Sequence, residues 1–232
     1  EDKNLGAQFS KEIEANQAEY PILRNEQVRS YVQNMTNEIL QSPHVKYRNQ
    51  FQYRVEVIDR DIVNAFVTPG GYIYVYTGLL RHIDNEAVLA AVLAHEVAHA
   101  ERRHSTKRLT KAYGASTLAQ LALGKQSDNV KLAANMFTGL ALLRNSRSDE
   151  YEADEFAFKY LQSTRWYPGG ISLFFKTLGG GGNKFTELLS THPLSDKRIK
   201  AMDELIEKNK VPAPTEATLF SKQYSEFKKL VR

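Results

Sequence analysis

Between Gln8 and Leu40, the residues Phe9, Ile13, Val28, Val32, Ile39 and Leu40 recur at the spacing of one helix face, and Tyr20-Pro21 splits the run. Two N-terminal helices are predicted. The period then changes: 53–58 alternates apolar with polar, and 72–77, behind the turn signal Pro69-Gly70-Gly71, is rich in aromatic and β-branched residues. Both predict strands, and 64–68 predicts a third, shorter one. Beyond Gly78 helical spacing returns, predicting helices over about 84–103, 107–123, 129–143 and 148–164. The span 166–183 carries Pro168-Gly169-Gly170 and a glycine run at 179–182 around one short helix at 171–178, the composition of a lid or of a flexible linker. A helix over 195–208 and an amphipathic end through Phe220, Tyr224, Phe227, Leu230 and Val231 complete the chain, with no internal repeat.

The expected fold class is therefore α+β and predominantly helical, one domain over 1–232. Its parts are N-terminal helices at 1–42, a small sheet at 53–77, a helical core at 84–164, a candidate lid at 165–193 and C-terminal helices at 194–232. With 42% hydrophobic and 25% charged residues the composition is that of a globular protein, which excludes disordered and low-complexity classes. The longest apolar run, 87–94, is much shorter than the roughly 20 residues a membrane-crossing helix needs. The 31 Lys and Arg against 27 Asp and Glu are scattered, so nucleic acid is not an expected partner. No cysteine is present, which leaves histidine and carboxylates as the donors for any metal and suits an oxidising compartment. A start at Glu1 without an apolar leader reads as a processed or trimmed chain.

Candidate chemistry centres on His95-Glu96-Val97-Ala98-His99. Residues four apart share a face only on a helix, and the flanks support one: Asp84, Asn85 and Glu86 offer a cap and an acidic first turn, while Arg102, Arg103 and His104 place positive charge at the far end. The run 87–94 is apolar on every side, so this helix should cross the core and bury its imidazoles. Buried imidazoles beside a carboxylate are costly unless paired or bound to a cation, and a zinc ion removes that cost. Two histidines leave a third ligand to find. His104, nine residues past His95, falls on the opposite side of a continuous helix at roughly 100° per residue.

A distant carboxylate is needed instead, and the acids of 148–161 divide into two groups by helical phase. Glu152 and Glu155 share a polar, solvated face with Lys159 and Gln162. Glu150 and Asp154 continue the inward stripe of Ala157, Phe158 and Leu161. The reading is Glu150 as zinc ligand, with Asp154 holding the other ring nitrogen of His95; a merely acidic surface helix is the alternative. Glu96, about 100° round the helix from His95, is placed to serve as a base without coordinating.

These residues resemble the gluzincin metallopeptidases of the type I CAAX prenyl protease and BepA-type family. The likeness rests on four blocks in the same order: 64–80, the His95 to His99 motif, Glu150 to Asp154, and 191–199. It implies a zincin-like peptidase fold, one zinc ion on His95, His99 and Glu150, and Glu96 as catalytic carboxylate. It also implies His192 and Arg198 facing the oxyanion, with His192 able to act as a fourth metal ligand in a latent state. Polypeptide substrates, unfolded or extended, would add beside the strand at Asn64, Ala65 and Phe66, unless that strand is interior. The expected function is zinc endopeptidase in envelope quality control, periplasmic or otherwise extracytoplasmic and open to membrane association. Two alternatives stand beside it: a chaperone or assembly module with a latent zinc site, and a structural zinc site.

Overall fold

The computed structural model describes residues 1–123, 128–142, 144–178 and 185–231. Its elements are α1 (Asp2–Ala15), α2 (Glu26–Ile39), β1 (Val55–Ile58), β2 (Ala65–Thr68), β3 (Tyr72–Tyr76), α3 (Thr77–His82), α4 (Glu86–Glu101), α5 (His104–Tyr113), α6 (Ala115–Leu123), α7 (Asp128–Leu142), α8 (Arg147–Leu161), α9 (Gly170–Leu178), α10 (Thr186–Thr191), α11 (Asp196–Lys208), α12 (Glu216–Leu219) and α13 (Ser221–Lys228). This is an α+β, predominantly helical architecture with a small sheet beside the motif-bearing helix.

The sheet has the order β1-β3-β2, with β1 parallel and β2 antiparallel to the central β3. Alternation along β3 divides the core. Ile73 and Val75 pack toward α2 and α4, while Tyr72, Tyr74 and Tyr76 pack toward α1 and the α6 and α7 helices, so both faces are covered. That double burial is why β3 carries so little polar alternation.

Helix α4 is buried along its whole length, between the sheet on one side and α8 and α9 on the other. The Asn85 side chain caps it by accepting from Val88 N at 3.0 Å. Two acids pin its ends: Glu86 Oε2 accepts from Trp166 Nε1 at 2.8 Å, and Glu101 accepts from Lys46 N at 2.7 Å and Tyr47 N at 3.0 Å. Helix α9 crosses it at Gly170, where a Cβ would stand 2.3 Å from the Ala87 carbonyl oxygen. Only glycine allows that approach.

Several boundaries differ from expectation. The helix predicted over 84–103 stops at Glu101, because Arg103 adopts the left-handed region at φ 57° and His104 opens a new helix. Gly114, at φ 84°, divides the predicted 107–123 helix into α5 and α6. The six-residue helices α3 and α10 are too short to leave a periodic signal. Of the candidate lid, Trp166 and α9 pack in the core, and the glycine run at 179–182 lies outside the described residues.

Candidate metal centre

Helix α8 starts with a reciprocal capping box between Ser146 and Asp149, which places Glu150 in its first turn, facing α4. His192 follows α10, and Arg198 lies in the first turn of α11, capped by Ser195. Three segments thus bring His95, His99, Glu150 and His192 together, all buried, with candidate ligand atoms within 4.8 Å of one another. Nε2 of His95 and Nε2 of His99 face each other at 2.9 Å. The Glu150 carboxylate approaches His99 Nε2 at 3.2 Å and His95 Nε2 at 3.4 Å. Donors bonded at roughly 2.0–2.1 Å to a tetrahedral ion stand about 3.3 Å apart, so these edges fit one small cation. Two imidazoles and a carboxylate are also the donor set that zinc prefers.

The outer ring nitrogens are held in different ways. Nδ1 of His95 lies 2.9 Å from Asp154 Oδ1. Asp154 in turn accepts from Arg198 Nε and Nη2, each at 2.7 Å, in a bidentate pair, while Arg198 Nη1 lies 2.8 Å from Glu150 Oε2 and donates to Pro193 O at 3.0 Å. Nδ1 of His99 instead meets Nδ1 of His104 at 2.8 Å, and His104 Nε2 meets Glu152 Oε2 at 2.9 Å.

This second arm overturns two expectations. His104 is not on the far side of the helix, because α4 ends before it and the left-handed turn at Arg103 folds it back against His99. Glu152 is not simply solvated: besides His104 it accepts from Arg102 Nε at 2.8 Å. The basic cluster Arg102-Arg103 in mid-pattern was the available signal for the break.

Protonation follows from these contacts. Burial opposes charge on His95, but the carboxylates of Asp154 and Glu150 outweigh it and push the ring up to about 10. Burial and the neighbouring His95 charge hold His99 well below its ordinary value. Burial raises Glu96, with His192 and His95 opposing. Burial also acts to raise Glu150, yet His192, His95 and His99 together hold it well below the usual carboxylate range. Among the predicted residues, Glu96 stands 3.6 Å from His192 Nε2, and His192 Nδ1 is 3.2 Å from Glu150 Oε1 and 3.3 Å from Asn145 Nδ2.

The strand residues are not among these candidate ligands. Ala65 and Phe66 belong to β2, an edge strand, with Ala65 N donating to Asn64 Oδ1 at 2.9 Å. Phe66 points to the face away from α4 and stacks on Tyr74 at a centroid distance of 4.9 Å. Beside the histidines is a small apolar cavity of about 30 Å³, lined in part by Val92, Ile171, Phe174, Phe175 and Leu188. Among the described residues no helix is long and apolar enough to cross a membrane.

Comparison with known proteins gives the same direction. The model of peptidase family M48 matches residues 23–206. The mitochondrial metalloendopeptidase OMA1 of Arabidopsis thaliana is 37% identical over 153 residues, covering 65% of this chain and 31% of that protein. OMA1 of Schizosaccharomyces pombe is 30% identical over 170 residues, 72% of this chain and 50% of its own length. The β-barrel assembly-enhancing protease of Yersinia pestis is 27% identical over 195 residues, 78% of this chain and 40% of its own. The chain thus spans between about a third and a half of the curated relatives it matches.

Proposed function

The chain belongs to peptidase family M48, and from that premise we propose that it is a zinc-dependent endopeptidase that hydrolyses peptide bonds in extended or unfolded polypeptides. The observation that carries this reading is the convergence of His95 Nε2, His99 Nε2 and Glu150 on one point, with the uncoordinated Glu96 beside it. Zinc held by those three residues would supply Lewis acidity, acidifying water and polarising the scissile carbonyl.

The remaining work falls to side chains. Glu96 receives a proton from the attacking water and delivers it to the departing amine, so that the hydroxyl stays on the new carboxyl and the amine leaves neutral. Burial raises its carboxyl above the ordinary value, which favours its taking up the proton it must pass on. His192 reaches the same space from α10 and would donate to the developing oxyanion. Arg198, engaged with Asp154 and Glu150, acts as a positioning residue that keeps both carboxylates turned inward. Substrate lies along the edge of β2 at Asn64, Ala65 and Phe66, bound by main-chain hydrogen bonding to the outward-facing carbonyl of Ala65.

His192 also favours a resting form. Its Nδ1 already meets Glu150 inside the ligand cluster, so in a latent state His192 fills the position that water and substrate need. The names of the relatives, one mitochondrial and one concerned with β-barrel assembly, support work in envelope quality control and an extracytoplasmic, membrane-associated location. The test is casein cleavage by the zinc-loaded chain. Glu96→Gln should bind zinc and lose cleavage by roughly a hundredfold or more, while His192→Ala that frees cleavage supports latency; cleavage at the parent rate by Glu96→Gln would refute the mechanism.

A further inference from the structure

Arg108 on α5 has two guanidinium nitrogens, Nε and Nη1, that are buried and have no hydrogen-bond partner among the described residues. Such donors cost stability unless an acceptor arrives from outside, because burial removes the water that would otherwise satisfy them. The third nitrogen, Nη2, donates to Ser105 Oγ at 3.3 Å, and Ser105 Oγ donates to Val67 O at 3.3 Å. Val67 belongs to the unpaired edge of β2. Tyr76 N donates to Asn64 O, so the even-numbered positions turn their backbone groups toward β3 and Ala65 and Val67 turn theirs outward. Arg108 therefore stands one hydrogen-bonded step beyond the edge on which a polypeptide strand would be laid.

The same guanidinium lines an open groove of about 570 Å³ together with Lys107, Lys111 and Arg144. The acid among its lining residues, Asp149, is already engaged, accepting from Ser146 N at 3.1 Å in the cap of α8. A groove with four cations and one carboxylate, floored by a guanidinium with two unpartnered nitrogens, is matched by an anion. The planar fork of arginine suits a carboxylate in particular.

We infer that Arg108 and this basic groove form a subsite that binds a carboxylate of the substrate polypeptide next to the β2 edge. The carboxylate comes from an acidic side chain or from the chain terminus, and the substrates are acidic on that flank. Burial weakens the protonated form of Arg108, while Asp149, Glu150 and Glu96 sustain it, which places the cation within the electrostatic reach of the reacting centre. The inference rests on the peptidase reading for its choice of ligand, but its test does not require turnover.

The experiment measures binding of fluorescein-labelled peptides to the zinc-loaded Glu96→Gln chain. One peptide carries glutamates on one flank of an apolar centre; its twin carries glutamines. Each is made with a free and an amidated C-terminus. The glutamate peptide should bind roughly tenfold more tightly than its twin, and Arg108→Gln should abolish that preference. A preference that follows the free terminus instead identifies the chain end as the source. Should Arg108→Gln fail to fold, the surface variant Lys111→Gln and a salt titration of the parent protein provide a second reading: both should reduce the preference. Equal binding of all four peptides, or a preference unchanged in folded Arg108→Gln, overturns the subsite. If the preference holds while neither the wild-type chain nor His192→Ala cleaves any of the peptides, the subsite stands and the peptidase reading falls.

Discussion

His95 and His99 lie one turn apart on the same buried helix, yet they are held by unlike arms. His95 leans on Asp154, a buried acid locked by the bidentate Arg198. His99 leans on a neutral-type partner, His104, backed by Glu152, whose side chain is 32% exposed. Against the cost of burial, Asp154 and Glu150 raise His95 to about 10, whereas burial and the neighbouring His95 charge hold His99 well below its ordinary value. One arm stores charge in a dry network, where a single broken contact leaves an ion stranded. The other vents to solvent and tolerates change.

The strongest way to break the comparison leaves both arms intact. Glu96→Gln keeps every ligand and every outer contact, so zinc content should be unchanged while peptide hydrolysis falls by roughly 10²–10⁴, the usual contribution of a positioned base. Assay of kcat alongside bound zinc separates the two. Next in size is the dry arm. Asp154→Asn deprives buried Arg198 of its bidentate partner and should destabilise the fold by about 3–5 kcal/mol, read as a lower denaturation midpoint, and weaken zinc binding as well.

The solvent-linked arm should give less. His104→Phe keeps the ring volume but removes the partner of His99 Nδ1, and zinc affinity should fall about tenfold with little loss of fold stability. Glu152→Gln should cost roughly threefold or less, since solvent screens the exposed carboxylate. Comparable losses in stability for Asp154→Asn and His104→Phe would erase the distinction between the arms. The smallest effect sharpens it. His99 and Glu150 already hold their metal-binding protonation states, so zinc uptake at neutral pH should release about one proton, from His95, and affinity should rise with pH. Calorimetry in buffers of different ionisation enthalpy counts that proton, and a count of zero would contradict the assignment.

The same contrast explains what could be read from the chain. Helix α4 was legible because Asn85 and the apolar run after it mark a buried helix without reference to any partner. The inward phase of Glu150 and Asp154 was legible because α8 runs unbroken from Arg147 to Leu161. His104 was misplaced because helical phase applies only while the helix continues, and the left-handed turn at Arg103 ends it two residues after Glu101. Glu152 looked solvated because its partners, Arg102 and His104, lie on either side of that turn. Helix α10, which presents His192, has six residues and so too few apolar repeats to declare itself. Arg198 was found as a residue but not as a contact: one cation on α11 reaching two acids on α8 is a tertiary fact that no local pattern encodes.

Anomalous diffraction at the zinc edge from crystals grown with the ion addresses the metal centre directly. One peak bonded to Nε2 of His95, Nε2 of His99 and the Glu150 carboxylate is the expected result. A peak elsewhere, or none at saturating zinc, would contradict metal-dependent hydrolysis by this chain.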